Sequence, residues 1–134
     1  MPASLSHFAS FLRSFLTFSA TLLAAQAVPA AELSGETRKW HRVTLTFTGP
    51  DAAEGGIHLN PFRDYRLDVT FQSPTGVLHR VPGFFATDGN AANTGAVGGN
   101  KWRVHFAPNE TGTWDYRASF RTGSNIAASL DPNA

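Results

Sequence analysis

From residue 42 onward, apolar and polar side chains alternate one for one in four separate stretches. Val43, Leu45 and Phe47 are interleaved with Arg42, Thr44 and Thr46. Tyr65, Leu67, Val69 and Phe71 alternate with Asp64, Arg66, Asp68 and Thr70. Trp102, Val104 and Phe106 alternate with Lys101, Arg103 and His105, and Trp114, Tyr116, Ala118 and Phe120 with Asp115, Arg117 and Ser119. Successive side chains of a strand point to opposite faces, so this period marks strands with one face in a core and the other in water. A parallel sheet covered on both sides would show unbroken apolar runs instead. Val77 to Ala86 reads as a fifth, less regular strand, because Pro82 and Gly83 suit an edge or a bulge. Asn125 to Ala128 is a candidate sixth.

Turn signals separate these runs: Gly49-Pro50, Gly55-Gly56, Asn60-Pro61, Ser73-Pro74-Thr75-Gly76, Asp88-Gly89-Asn90, Gly98-Gly99-Asn100 and Pro108 to Gly112. No helical stripe of useful length follows residue 31. The pattern predicts an all-β, antiparallel β-sandwich. The corner Glu110-Thr111-Gly112-Thr113-Trp114-Asp115-Tyr116 has the layout that leads into strand F of immunoglobulin-like domains, with Glu110, Gly112, Trp114 and Tyr116 as its structural residues. Such a sandwich has seven strands, so five or six imply that the C-terminal strand or strands are lacking. Residues 129–134 then read as a truncated tail.

The first 30 residues differ. Arg13 is the only charge before Glu32, Phe15 to Ala25 carries none, and Ala25-Gln26-Ala27 and Val28-Pro29-Ala30 offer small-residue cut sites. That is the layout of a secretory signal peptide, here expected as a helix, with cleavage near Ala27 to Ala30. The apolar run is too short to span a membrane. The organisation expected is therefore a signal peptide over 1–30, a linker over 31–38, a sandwich over 39–128 and the tail. The product is expected to be secreted or periplasmic, with no membrane association after cleavage.

Arg13 leaves with the leader, so the eleven Lys and Arg of the chain fall to ten, equal to the ten Asp and Glu. A neutral module without a basic run is not expected to bind nucleic acid. There is no cysteine, so stability rests on the core and thiol chemistry is excluded. His7, His41, His58, His79 and His105 lack metal-ligand spacing and are expected on the surface or rim. No nucleophile elbow is present. Asp64, Asp68 and Asp115 alternate onto solvent faces and are not expected to flank a cleft as glycosidase carboxylates do. Asp88-Gly89-Asn90 supplies one carboxylate, too few for a good calcium site, and reads as a structural turn. Asn109-Glu110-Thr111 is a sequon in a turn. No catalytic residue, metal site or cofactor is expected.

Most of the aromatics alternate into the core face. Trp40 is out of phase with Val43, Leu45 and Phe47, and Phe62, Phe84 and Phe85 lie in or near loops. Exposed aromatics serve either as sugar platforms or as a docking surface for a neighbouring domain, so these four are the candidate contact residues.

Several blocks stand in a fixed order: Gly49-Pro50, Asn60-Pro61-Phe62-Arg63-Asp64-Tyr65-Arg66-Leu67, Val81 to Asn90, Gly99 to Phe106 and Pro108 to Tyr116. Together, from about Trp40 to Ile126, they resemble the family catalogued as domain of unknown function 5060. That resemblance implies an immunoglobulin-like sandwich at the amino end of a secreted bacterial protein, usually followed by a glycoside-hydrolase-like (β/α) barrel. It brings no catalytic residues to this chain. The expectation is a non-catalytic accessory module that packs against or positions such a barrel, absent from these residues. The alternative is a stand-alone carbohydrate-binding module, with a polysaccharide as partner and Trp40 and the Phe84-Phe85 loop as platform.

Overall fold

A computed structural model describes residues 5–9, 16–22, 30–56, 59–131 and 133. Its strands are β1 (Leu5–Ala9), β2 (Leu16–Leu22), β3 (Glu32–Gly35), β4 (Val43–Ala53), β5 (Tyr65–Gln72), β6 (Leu78–Pro82), β7 (Phe84–Phe85), β8 (Gly98–Phe106) and β9 (Gly112–Thr122). A four-residue helix, α1 (Ala91–Thr94), and a 3-10 turn (Ile126–Ala128) complete the described elements.

Two antiparallel sheets face each other. One runs β3-β4-β8-β7, and the other is built on β9-β5-β6. The expected alternation supplies the core between them. Val43, Leu45 and Phe47 meet Leu67, Val69, Phe71, Trp102, Val104, Trp114, Tyr116 and Ala118, with Phe106 and Phe120 packed against the cluster. The aromatic rings interlock: Phe71 stacks on Phe106 at 4.2 Å, and Trp102 meets Phe120 edge-on at 4.8 Å. Such pairs add to the stabilisation that burial alone supplies.

Several expectations change. The segment read as a linker contains β3, which pairs with β4 and lays Leu33 beside Leu45. Backbone pairing there does not need a long alternating pattern, only an available edge. Gly49-Pro50 lies inside β4, where a register shift between Thr48 and Ala52 absorbs the irregularity. Gly98 and Gly99 open β8 instead of forming a turn. Gly99 has φ of 155° and approaches the Thr87 backbone so closely that a side chain would collide with it. The fifth strand is divided: β6 pairs with β5, β7 pairs with β8, and Gly83 lets the chain cross between sheets. Its amide donates to the Leu67 carbonyl at 2.7 Å, and an added Cβ would strike the Leu67 side chain. Residues 126–128 form the 3-10 turn, not a sixth strand, with Asn125 in left-handed backbone at its start. Residues 32–122 thus hold seven strands among the described residues.

The helix expected within residues 1–30 is also corrected where those residues are described. β2 lies parallel to β9, from Leu16 opposite Gly112 to Leu22 opposite Ala118, and β1 pairs with β2. Without β2 this edge of β9 would leave its backbone groups unpaired, and a segment rich in Leu, Thr and Phe is competent to pair with them. Residues 10–15 and 23–29, with the expected cut sites, lie outside the described residues. No helix among the described residues is long and apolar enough to cross a membrane.

Candidate interaction surface

The candidate contact residues divide between the two ends of the sandwich. Phe62 is presented by the Asn60-Pro61 turn, which its own side chains close. The Asn60 Oδ1 accepts the Phe62 amide at 2.9 Å, and Asp64 Oδ2 accepts the Asn60 amide at 3.0 Å. Asp64 also binds the Asn125 amide at 3.1 Å through Oδ1 and takes two bonds from Arg63. It therefore ties the turn before β5 to the turn after β9. Hydrogen bonds from Arg63, then from the Asn60 and Asn125 amides, hold this carboxyl well below the usual range. The expectation that Asp64 faces solvent is overturned: it is 1% exposed. A carboxylate at the strand entrance can turn back onto backbone amides, which alternation does not foresee.

Phe62, 59% exposed, stands edge-on to buried Phe85 at 6.2 Å, and Phe85 packs on Trp102 at 4.9 Å. Phe84 is half-exposed and lies 5.1 Å from the His105 ring. Phe62, Phe84 and Phe85, with Tyr65, Pro82 and Arg66, line a cleft of about 260 Å³. Trp40 does not join them. Its amide donates to Pro108 beyond the far end of β8, while Phe85 pairs with Trp102. From Trp102 to Phe106 alone is about 13 Å of strand, so one platform of Trp40 with Phe84 and Phe85 is not formed. Trp40 is exposed, with φ of 66° and Lys39 Nζ 5.6 Å from its ring centre.

The corner residues lie at the entrance to β9. Fully buried Trp114 donates its indole N–H to the Glu110 carbonyl at 3.2 Å, the link back to upstream backbone that a tyrosine makes in related corners. Gly112 has φ of 130°, and both Glu110 carboxylate oxygens accept from Thr75 Oγ1, at 2.8 and 3.0 Å. Burial raises the Tyr116 phenol, partly offset by a bond with the Ala31 backbone. Asn109, the sequon residue, is half-buried in the same turn.

Both Asp88 oxygens are taken by its own loop, Oδ1 by the Asn90 amide at 2.8 Å and Oδ2 by Thr94 at 2.6 Å. His41 pairs with Glu36 at 3.1 Å, and exposed His105 with Thr44 at 2.8 Å. His79 departs from the expected rim position: its half-buried ring lies 5.9 Å from Phe106 and 5.7 Å from Trp114. His7 and His58 lie outside the residues whose side chains are described.

The sequence reading also missed a cluster. Asp68, expected on the solvent face, is 6% exposed because arginines cover it. Arg66, Arg80 and Arg121 all donate to its Oδ2, at 2.8, 2.7 and 3.0 Å. Burial raises this carboxyl, but the hydrogen bond and charge of Arg80 and those of Arg66 outweigh it and leave it low. Arg66 NH1 continues to the carbonyls of Ser129 and Asp131. Arg117 lies on the same face, opposite Thr70, and is exposed. The signal was present as outward arginines on β5, β6 and β9. Their convergence depends on register.

No curated protein and no solved structure matches the chain. The family model described as domain of unknown function 5060 matches residues 36–121, a span that holds β4 to β8, the aromatic cleft, the Trp114 corner and the arginine cluster. The chain belongs to that family.

Proposed function

We propose that this chain is a non-catalytic accessory module of a secreted glycoside-hydrolase-type protein, and that it docks against a catalytic barrel through the cleft between Phe62 and Phe84. The observation that carries this reading is the exposed Phe62 ring on a turn held by Asp64 and backed by buried Phe85. An apolar group presented on a rigid support loses little entropy on association. The aromatic residues at the cleft's exposed rim are phenylalanines. These lack the polar edge with which Trp and Tyr serve hydroxyl-rich ligands, so the cleft suits an apolar protein surface better than a sugar. Asp64 and Asp68 support the non-catalytic part, because their carboxylates are committed to backbone amides and arginines.

The test is calorimetric titration of the chain with the barrel encoded in the same locus. Phe62→Ser with Phe84→Ser should weaken association by about tenfold or more, the scale of removing two interface anchors. Unchanged affinity removes this docking surface. Retardation of the chain by a neutral polysaccharide, lost in the same variant, would establish the sugar-binding alternative instead.

A further inference from the structure

The outward face of the β6-β5-β9 sheet is an unusual solution to the placement of charge. Three guanidiniums converge on one oxygen of Asp68, and a fourth, Arg117, stands in the neighbouring cross-strand row. Arg80 and Arg117 flank Thr70 on its two sides, because Thr70 pairs with both of them. A groove of about 350 Å³ runs across this row and is lined by Arg80, Arg117, Arg121, Asp68, Thr70 and Ser119. It holds three cations to one carboxylate. Asp115 lies two residues along β9 from Arg117, and Asp131 lies at Arg66, so acidic groups flank the groove without lining it.

Like charges brought within a Debye length of about 10 Å repel, and a chain with eleven Lys and Arg to ten Asp and Glu had no need to gather them here. Asp68 gives the arrangement a purpose. By binding one end of each guanidinium it fixes Arg80 and Arg121 in place, so that their planar forks are oriented before any ligand arrives. Arginine forks match the two oxygens of a carboxylate or sulfate. The Thr70 and Ser119 hydroxyls add neutral donors and acceptors of the kind that meet sugar hydroxyls.

We infer that this groove binds the carboxylate or sulfate group of an acidic polysaccharide, with Arg80, Arg117 and Arg121 as its ligands. Asp68 and Arg66 are positioning residues. The choice of a glycan over other polyanions rests on the reading of the chain as part of a secreted glycoside-active protein; the anion chemistry rests on the groove itself.

Affinity electrophoresis of the full chain tests this, with polygalacturonate, dextran sulfate, a neutral glucan or an oligonucleotide in the gel. Retardation by polygalacturonate, by dextran sulfate or by both is expected, weakening as salt rises. The two gels separate carboxylate from sulfate as the recognised group. Arg80→Gln with Arg117→Gln should weaken it by about tenfold or more, as expected for charge-assisted bidentate contacts. Exposed Arg117→Gln alone should give part of that loss without disturbing the fold. Lys39→Gln, outside the groove lining, makes an equal charge change to that of Arg117→Gln and should have no effect. Equal loss in Lys39→Gln and Arg117→Gln would reduce the effect to net charge and overturn the site. So would retardation only by the oligonucleotide, or none in any acidic gel. The arginine variants should leave barrel docking through Phe62 and Phe84 intact, so either reading can fail without the other.

Discussion

The outward faces of the two sheets arise from the same alternating pattern yet handle charge in opposite ways. On β4 and β8, each basic side chain meets one threonine directly across the ladder. Lys101 donates to Thr48 at 2.8 Å, Arg103 to Thr46 at 3.1 Å, and His105 pairs with Thr44 at 2.8 Å. Each is a local contact with a neutral partner in its own row, to which Arg103 adds a bond to the Gly89 carbonyl. On β5, β6 and β9, three arginines converge on a single aspartate, and a fourth, Arg117, stands in the next row. One-to-one pairing yields a tiled surface, whereas convergence on one group yields a preorganised basic groove. The lesson is that polarity of a face is written residue by residue, but its chemistry is decided by what register sets opposite.

The largest effect expected from breaking this contrast is at the convergent side. Asp68→Asn keeps the volume and removes the charge beneath three guanidiniums. It should destabilise the fold by about 3 kcal/mol, the scale of removing one partner of a buried ionic cluster, read by chemical denaturation. A loss under about 1 kcal/mol, the value of an ordinary hydrogen bond, would mean that the arginines simply turn to water. The tiled side should respond less to the matching change. Thr46→Val removes only the partner of Arg103 Nε, and Arg103 keeps its bond to the Gly89 carbonyl at 2.8 Å, so about 1 kcal/mol is expected.

Acid should separate the faces further. Burial and the charges of Arg42 and Arg103 lower the His105 pKa below its ordinary 6.5. The unfolded chain therefore takes up this proton first. The contribution of His105 is complete above pH 6.5 and declines as pH falls toward the folded value. Asp68 is lowered from an ordinary 3.8, so its contribution persists to a much lower pH and is lost below that value. Melting temperatures across pH 4 to 8 should show a small acid-side decline that His105→Gln abolishes. A decline unchanged by that substitution assigns it elsewhere. The smallest stability effect belongs to Arg117→Gln. Exposed and outside the Asp68 bonds, it should move stability by no more than about 0.5 kcal/mol in either direction, while taking away part of the polyanion retardation. A large loss of stability would make Arg117 structural.

How far the molecule was legible follows physical lines. The core was readable because burial imposes a period of two, and Val43, Leu45, Phe47, Trp102, Val104 and Trp114 all lie where alternation put them. The Glu110 to Tyr116 corner was readable because its backbone requirements are local. β3 was not, because a short edge strand is recruited by a neighbour more than by its own pattern. Glycine and proline at 49–50 and 98–99 misled for the converse reason: pairing in the sheet tolerated them through a bulge and a close backbone approach. The Phe62, Phe84 and Phe85 group was half-legible. Each residue was singled out, but that they meet at one end and leave Trp40 at the other depends on how the strands align.

The sequence by itself determined two-faced strands, a thiol-free chain of nearly balanced charge and a family membership, because hydrophobic periodicity, composition and ordered motifs are properties of the chain. The tertiary structure alone decided that Asp64 closes two distant turns, that Pro82-Gly83 passes between sheets and that three arginines share Asp68. These arrangements join residues up to 61 positions apart, as in the bond from Asn125 to Asp64. Contacts of that kind exist only once burial of the common core has fixed the register of every strand.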